Sequence, residues 1–207
     1  GDHYVLNGCK MWITNGCLDD ETLGDLALVY ARTGETRRDI SLFLVEKGMK
    51  GFNLGQRIKG KCGMRASPTA ELVFEDVEVP AENLVGGLDD GLVAMMRNLE
   101  IERVALAAMS LGMARRCIAD MSKYAGERQS FGSPLKSFGQ IQRHIGESFA
   151  EYQAGRSFVY DVCQKMDLHS QTGSRVDSDA TKLYCSTMAK NVADRAMQVM
   201  GGYGYVE

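Results

Sequence analysis

The spacing of apolar positions changes near residue 85. Before that point, short runs rich in β-branched and aromatic residues alternate with turn residues; the runs are HYVL, CKMWIT, LALVYAR, ISLFLVE and ELVFEDVEV. Asn7-Gly8 and Asn15-Gly16, on either side of the second run, are typical of tight turns. The pattern predicts an antiparallel β-domain over residues 1–85.

After Gly86-Gly87, apolar positions recur every three or four residues, which predicts helices. The three predicted helices run from about residue 88 to 125, from about 137 to 168 and from about 175 to 200. The second helix is predicted to turn one apolar face to the core of an antiparallel bundle: Ile141, Ile145, Phe149, Tyr152, Val159, Cys163 and Met166. The predicted fold is α+β, with an incomplete helical domain over residues 86–207.

Composition narrows the class of protein. The chain has 207 residues, of which 44% are hydrophobic and 25% charged, so it can bury a core. Its net charge of -3 and the lack of a basic run argue against a nucleic-acid partner. No membrane span is predicted, because Glu102 and Arg103 interrupt the longest apolar stretch.

Six cysteines are scattered along the chain without CxxC spacing: Cys9, Cys17, Cys62, Cys117, Cys163 and Cys185. This spacing suggests neither a metal site nor a disulfide framework. We expect reduced and mostly buried thiols.

Two glutamates near the start of the apolar stretch LEIERVALAAMSLG have different surroundings. Glu100 has Arg97 and Arg103 at helical spacing, which is typical of a solvated or ion-paired face. Glu102 has no cation at that spacing, and its helical neighbours are Asn98, Leu99, Ala105 and Leu106.

A carboxylate in an apolar stripe is costly unless another element satisfies it. Two explanations for Glu102 remain open from the residues alone. The first is a buried ion pair with a distant arginine, because such networks are common. The second is a general base whose pKa rises on desolvation, as removal of a weakly acidic C–H proton requires.

Five segments resemble the acyl-CoA dehydrogenase family: CKMWITNG, GMRASPTAELVFEDVEVP, LEIERVALAAMSLG, ERQSFGSPL and MQVMGGYGY. They occur in the family's order and run through nearly all of the chain. The resemblance implies an FAD enzyme that oxidises the Cα–Cβ bond of an acyl-CoA thioester. It also implies a homotetramer that passes electrons to electron-transfer flavoprotein.

The resemblance assigns the catalytic base to Glu102. Most members of the family carry this glutamate on a later loop, but isovaleryl-type and long-chain members carry it on this helix, immediately before an arginine. The implied substrate is therefore a short branched acyl-CoA, as in leucine catabolism. Leu106 would face the acyl chain, although a core role is an alternative, and Glu100 and Arg103 are further candidate substrate contacts.

The resemblance also implies flavin contacts in the β-domain. Trp12 would lie against the flavin ring, and the Thr14 hydroxyl would lie near N5. The alternative for Trp12 is a core or hairpin aromatic.

In the helical domain, Arg128 resembles a residue that meets the FAD pyrophosphate of a neighbouring subunit, with Ser130 and Phe131 beside it. Gln198, Gly201 and Gly202 match a turn that approaches the adenine-diphosphate portion. A surface arginine and a glycine helix C-cap are the alternatives.

A second function class stays open at this level. The chain begins with glycine, so we expect a piece of a longer protein, and it could serve as a structural or oligomerisation module without activity. Another short-chain acyl-CoA is an alternative substrate. The expected compartment is the mitochondrial matrix for a eukaryotic source and the cytoplasm for a bacterial one.

Overall fold

The computed structural model describes residues 1–167 and 175–206 and forms two compact units, Gly1–Met96 and Arg97–Glu207. The strands of the first unit are β1 (His3–Thr14), β2 (Leu26–Arg32), β3 (Ile40–Glu46), β4 (Phe52–Arg57), β5 (Thr69–Pro80) and β6 (Leu84–Val85). The helix α1 (Gly91–Glu127) contains the division between the units. It is followed by β7 (Gln129–Ser130), β8 (Ser133–Pro134), α2 (Gly139–Lys165), α3 (Arg175–Met200) and α4 (Gly202–Tyr205).

The first unit contains two three-stranded antiparallel sheets. Their strand orders are β1-β5-β4 and β2-β3-β6. Alternate residues of both sheets enter one core, where the rings of Tyr4 and Phe43 lie 4.9 Å apart and those of Phe52 and Phe74 lie 5.0 Å apart. The predicted α+β fold, antiparallel sheets followed by helices, is confirmed.

The prediction of a turn at Asn7-Gly8 is wrong, because β1 runs through it. The pairing with β5 shifts between Leu6 and Gly8, which is a bulge rather than a reversal. The Asn7 side chain bonds across the strands instead: its Nδ2 donates to Asp76 Oδ1 at 2.9 Å, and its Oδ1 accepts from the Asp76 backbone N–H at 2.8 Å. Asn15-Gly16 does end the strand, as predicted.

Strand β4 is absent from the predicted elements. Its sequence FNLGQR has only two large apolar residues, and a glycine interrupts it, so no alternating pattern appears. Pairing with β5 nevertheless holds it in the sheet, and Phe52 is buried.

The three predicted helices are present with small changes at their ends. Helix α2 ends at Lys165, two residues before the described segment stops at Asp167. The predicted end of this helix at residue 168 lies outside the described residues.

Most of the predicted buried face of α2 is confirmed, because Val159 is buried and Ile141, Ile145 and Tyr152 pack against the same core. The prediction is wrong at two positions. Phe149 and Cys163 are exposed, whereas Ser148, Gly155, Val159 and Val162 are buried. A Cβ on Gly155 would lie 3.3 Å from side-chain atoms of Leu111 and of Cys185, so side chains of α1 and α3 pack directly against this glycine.

Arg195 on α3 pairs with two carboxylates of α2, Glu151 and, at 3.7 Å, Glu147. Arg195 is only 19% exposed, and its two terminal nitrogens each lie 2.8 Å from a carboxylate oxygen of Glu151. This two-bond geometry fixes the arginine plane as well as its charge. The hydrogen bond to the Glu151 carboxylate raises the pKa of Arg195, so the guanidinium stays charged.

The expectation that the cysteines are mostly buried is wrong. All six are free thiols, but only Cys17 and Cys185 are buried, and Cys117 is half-buried. The other three lie on exposed strand, loop and helix positions: Cys9, Cys62 and Cys163. Among the described residues, no helix is both long and apolar enough to pass through a bilayer.

Gly51 and Gly48 give a matched test of close packing in the first unit. Both have positive φ, 86° and 95°, but a Cβ on Gly51 would overlap the backbone oxygen of Glu75, whereas a Cβ on Gly48 would meet nothing within 4 Å. We expect Gly48→Ala to cost about 1–2 kcal/mol through backbone strain and Gly51→Ala roughly 3 kcal/mol or more. Urea unfolding followed by circular dichroism measures both, and equal costs would contradict the structure.

Thiol labelling tests the cysteine environments. Burial raises the pKa of Cys185 to about 11 and also raises the pKa of Cys117, which reduces the reactive thiolate. At pH 8 a thiol reagent should modify Cys9, Cys62 and Cys163 first, Cys117 more slowly, and Cys17 and Cys185 only after unfolding. Peptide mass spectrometry assigns the sites, and labelling of Cys185 in the folded chain would contradict this order.

Candidate functional site

The face that α1 buries determines where the Glu102 side chain points. In the second unit, α1 buries one narrow face that includes Val104, Ala107, Leu111 and Ala114. Glu102 lies off that face and is exposed. Its Oε1 accepts a hydrogen bond from the Asn98 side-chain amide at 3.4 Å. The explanation of Glu102 as a buried ion-pair partner does not fit, because no ion pair reaches it within the described residues.

The same exposed side of α1 is apolar. Leu106, Met109 and Met113 follow Glu102 at spacings of four, three and four residues and are 46%, 47% and 52% exposed. The apolar neighbourhood predicted for Glu102 is therefore present, but it is open rather than buried in this chain. Exposed apolar stripes of this kind mark surfaces that bind a ligand or another segment.

Arg103 and Glu100 differ from the predicted ion-paired surface. The Arg103 Nε lies 3.0 Å from Asp179 Oδ1 on α3, so this arginine joins two helices instead of pairing with Glu100. Glu100 is half-buried and takes part in no ion pair among the described residues. Arg103 lies one helical turn before the buried Ala107, so its side chain is on the packed side of α1.

One cleft of about 530 Å³ in the second unit brings together five predicted site residues that are distant in sequence. It is lined by Arg128 and Ser130 from the β7 region and by Gln198, Gly201 and Gly202 from the end of α3. A guanidinium, a hydroxyl and an amide thus meet beside exposed backbone. Donors of this type suit phosphate oxygens.

Phe131 is not among the residues that line the cleft. It lies in the two-residue turn between β7 and β8, is 96% exposed, and has a φ of 50°. A bulky residue in this left-handed conformation is strained. Its ring lies 6.4 Å from Phe138 in an edge-on arrangement.

Gly201 ends α3 with φ 57° and ψ -131°, a backbone conformation that suits glycine. Its N–H donates to the Gln198 carbonyl at 3.2 Å. The C-cap interpretation therefore fits, and it is compatible with a binding role because the cap itself lies at the edge of the cleft.

Two tyrosines of the cleft were missed in the sequence. Tyr124 on α1 and Tyr203 on α4 lie with ring centroids 6.2 Å apart and line the cleft together. The only sequence signal was the position of Tyr203 beside the glycine pair. No sequence signal pointed to Tyr124, because only the packing of the chain brings it next to Tyr203.

In the first unit, Trp12 lies at a second bulge of β1, between Lys10 and Ile13. Its φ is 67° and its side chain is 68% exposed, so it is neither a core nor a hairpin aromatic. Thr14 lines a mostly apolar cavity of about 480 Å³ in the same unit.

Comparison with known proteins identifies the family. The model described as "Acyl-CoA dehydrogenase, middle domain" matches residues 1–77, and that described as "Acyl-CoA dehydrogenase, C-terminal domain" matches residues 89–207. The chain belongs to the acyl-CoA dehydrogenase family.

Relatives whose names state different substrates are about equally similar to this chain. The chain is 38% identical to the mitochondrial isovaleryl-CoA dehydrogenase of Solanum tuberosum, covering 98% of this chain and 48% of the relative. It is 37% identical to a short-chain specific acyl-CoA dehydrogenase of Clostridium acetobutylicum, covering 100% and 53%.

Among solved structures, butyryl-CoA dehydrogenase of Megasphaera elsdenii matches with a TM-score of 0.90 and 36% identity, covering 99% of this chain and 52% of that one. The chain thus spans about half the length of the curated relatives it matches.

Proposed function

We propose that the protein catalyses FAD-dependent oxidation of the Cα–Cβ bond of a short branched acyl-CoA to the 2-enoyl-CoA. The observation that carries this proposal is the exposed Glu102 carboxylate at the start of the apolar stripe on α1. Family membership supports the reaction class, and the isovaleryl-CoA relative supports the branched substrate. Another short-chain acyl-CoA is the alternative, since the short-chain relative is about as similar.

Glu102 is proposed to accept the α-proton of the thioester. Apolar side chains beside it would meet the acyl chain and exclude water once substrate covers the stripe, which raises the basicity of a carboxylate. Leu106, one turn further along, is the first proposed acyl contact. Arg103 would hold this part of α1 through Asp179, and Glu100 would contribute to CoA binding.

The residues of the second-unit cleft fit FAD. Arg128, Ser130 and Gln198 offer charged and neutral donors, and the glycine turn leaves backbone accessible beside them. We infer that Arg128, with Ser130 and Phe131 beside it, binds the FAD pyrophosphate of a neighbouring subunit. Gln198, Gly201 and Gly202 would contact the adenine-diphosphate part, again across a subunit interface. Trp12 and Thr14 would face the flavin ring. When bound, FAD supplies the acceptor for the hydride that leaves Cβ.

The remaining features of the proposal follow from family membership. They are a homotetramer, electron-transfer flavoprotein as the electron acceptor, and a division into residues 1–85 and 86–207. The proposed compartment is the mitochondrial matrix or, for a bacterial source, the cytoplasm, as relatives of both origins exist.

Replacement of each glutamate by glutamine tests the assignment of the base in the FAD-loaded protein. Glu102→Gln keeps side-chain shape but cannot accept a proton, so flavin reduction should slow by roughly 10²-fold or more. Glu100→Gln should reduce apparent acyl-CoA affinity while the reduction rate stays near that of the parent. Anaerobic stopped-flow bleaching of the flavin with isovaleryl-CoA measures both quantities.

Two results would move the base elsewhere: rapid bleaching in Glu102→Gln, or equal slowing in both variants. Rapid bleaching of the parent by a straight-chain acyl-CoA with slow bleaching by isovaleryl-CoA would reject the branched substrate and leave the reaction class standing.

Arg128 variants test the proposed FAD contact. Loss of a charged hydrogen bond costs about 1.5–3 kcal/mol, so Arg128→Ala should weaken FAD binding by roughly tenfold or more. Arg128→Lys keeps the charge without the fork and should recover part of the affinity. The matched control is Arg116→Ala, because Arg116 forms an exposed pair with Asp120 on α1. Equilibrium dialysis measures FAD affinity, and an equal effect of the control would contradict the assignment.

A further inference from the structure

A basic cleft lies in the first unit, outside every residue assigned above to FAD or acyl-CoA. It has a volume of about 210 Å³ and lies at the end of β4 and in the loop before β5. Four of its seven lining residues are cations, and these define the basic cleft: Arg57, Lys59, Lys61 and Arg65. Four cations within nine positions contrast with a chain whose net charge is -3.

Only part of this charge is neutralised within the protein. Asp20 is the one carboxylate within 4.0 Å of these cations among the described residues, and it lies 3.2 Å from Arg57 and 2.5 Å from Lys59. Lys61 and Arg65 have no carboxylate partner in that part of the chain. Positive charges that line a concave surface raise the local concentration of anions.

The two unneutralised cations are held in place. The Lys61 ammonium is half-buried and donates to the Ser67 carbonyl at 2.5 Å and to Thr69 Oγ1 at 2.9 Å. An ammonium has three donors, so one stays available after these two bonds. Arg65 Nε donates to the Lys61 carbonyl at 3.1 Å, and neither terminal guanidinium nitrogen of Arg65 has a hydrogen bond among the described residues.

We propose that the basic cleft binds a phosphate-class dianion. A pocket for a drug-sized ligand has a volume of about 300–1,000 Å³, so this smaller cleft suits a compact anion. The Arg65 guanidinium can donate two parallel hydrogen bonds to two phosphate oxygens. The Lys61 ammonium provides a fixed positive charge beside it. Each bond to the anion would satisfy a donor that the protein leaves open.

Asp20 acts as a competitor for this anion. Its hydrogen bond from Lys59, followed by that from Arg57, lowers the pKa of Asp20, so the carboxylate stays ionised at neutral pH. It holds Lys59 and Arg57 while it repels a bound phosphate. Removal of its charge should therefore strengthen anion binding, a gain that a purely structural role of the cations does not predict.

Calorimetric titration of the protein with inorganic phosphate tests the proposal, at about 50 mM salt so that screening of the contacts is limited. We expect saturable binding that Arg65→Gln and Lys61→Gln each weaken by roughly tenfold. Asp20→Asn should tighten it by about threefold or more. The matched control is Lys50→Gln, since Lys50 is an exposed lysine of the same unit outside the basic cleft, and it should have no effect.

A second arm separates a soluble phosphate from a lipid headgroup. The same variants are sedimented with phosphatidylcholine vesicles containing phosphatidic acid. Binding of either probe that Arg65→Gln weakens by roughly tenfold and Lys50→Gln leaves unchanged supports the site, and the tighter probe identifies the source. The proposal is overturned if neither probe binds, if Lys50→Gln weakens binding as much as Arg65→Gln, or if Asp20→Asn weakens it.

Discussion

The rotation of α1 about its own axis is the constraint on which the candidate site depends. The helix buries Ala107, Leu111 and Ala114 in one core with residues of α2 and α3. Because an α-helix has 3.6 residues per turn, burial of this face fixes the direction in which every other side chain of the helix points. Glu102 and the apolar stripe are then exposed, while Arg103 turns to Asp179. A substitution that rotated this helix would displace the carboxylate without altering it.

The cleft near Arg128 depends on two chain ends meeting. The tight hairpin after α1 brings Arg128 and Ser130 to one side, and the glycine cap after α3 brings Gln198 and Gly201 to the other. The strained φ of Phe131 lies in that hairpin. Strain of this kind persists only where surrounding structure determines it, and such positions cluster at binding sites.

Exposed apolar groups have a common distribution in both units. Trp12 at a bulge of β1, Phe131 at a hairpin tip, and Met109 and Met113 on α1 are all large, apolar and exposed. Each lies at or beside a residue that the family resemblance assigns to a ligand. Because apolar surface of this extent is costly in water, the arrangement is consistent with a protein whose surfaces are completed by cofactor, substrate or further protein.

Local patterns in the sequence determined the element types and their order. Alternating apolar residues specified β1, β2, β3 and β5, and three-four spacing specified the helices, because both depend on residues near one another in the chain. Family motifs pointed to five residues that line the second-unit cleft, but not to Tyr124 or Tyr203. The motif order was informative because it reflects a fold, whereas spacing alone left Glu102 with two explanations.

Long-range contacts decided what the local patterns could not. Asn7 lies in a bulge instead of a turn because Asp76, 69 positions away, accepts and donates its hydrogen bonds. Arg103 pairs with Asp179 rather than Glu100, and Gly155 rather than Phe149 faces the core of the bundle. In each case the deciding partner is distant in sequence, so its energy has no trace in local periodicity. At these positions tertiary packing decided the partner or the face that local spacing left open.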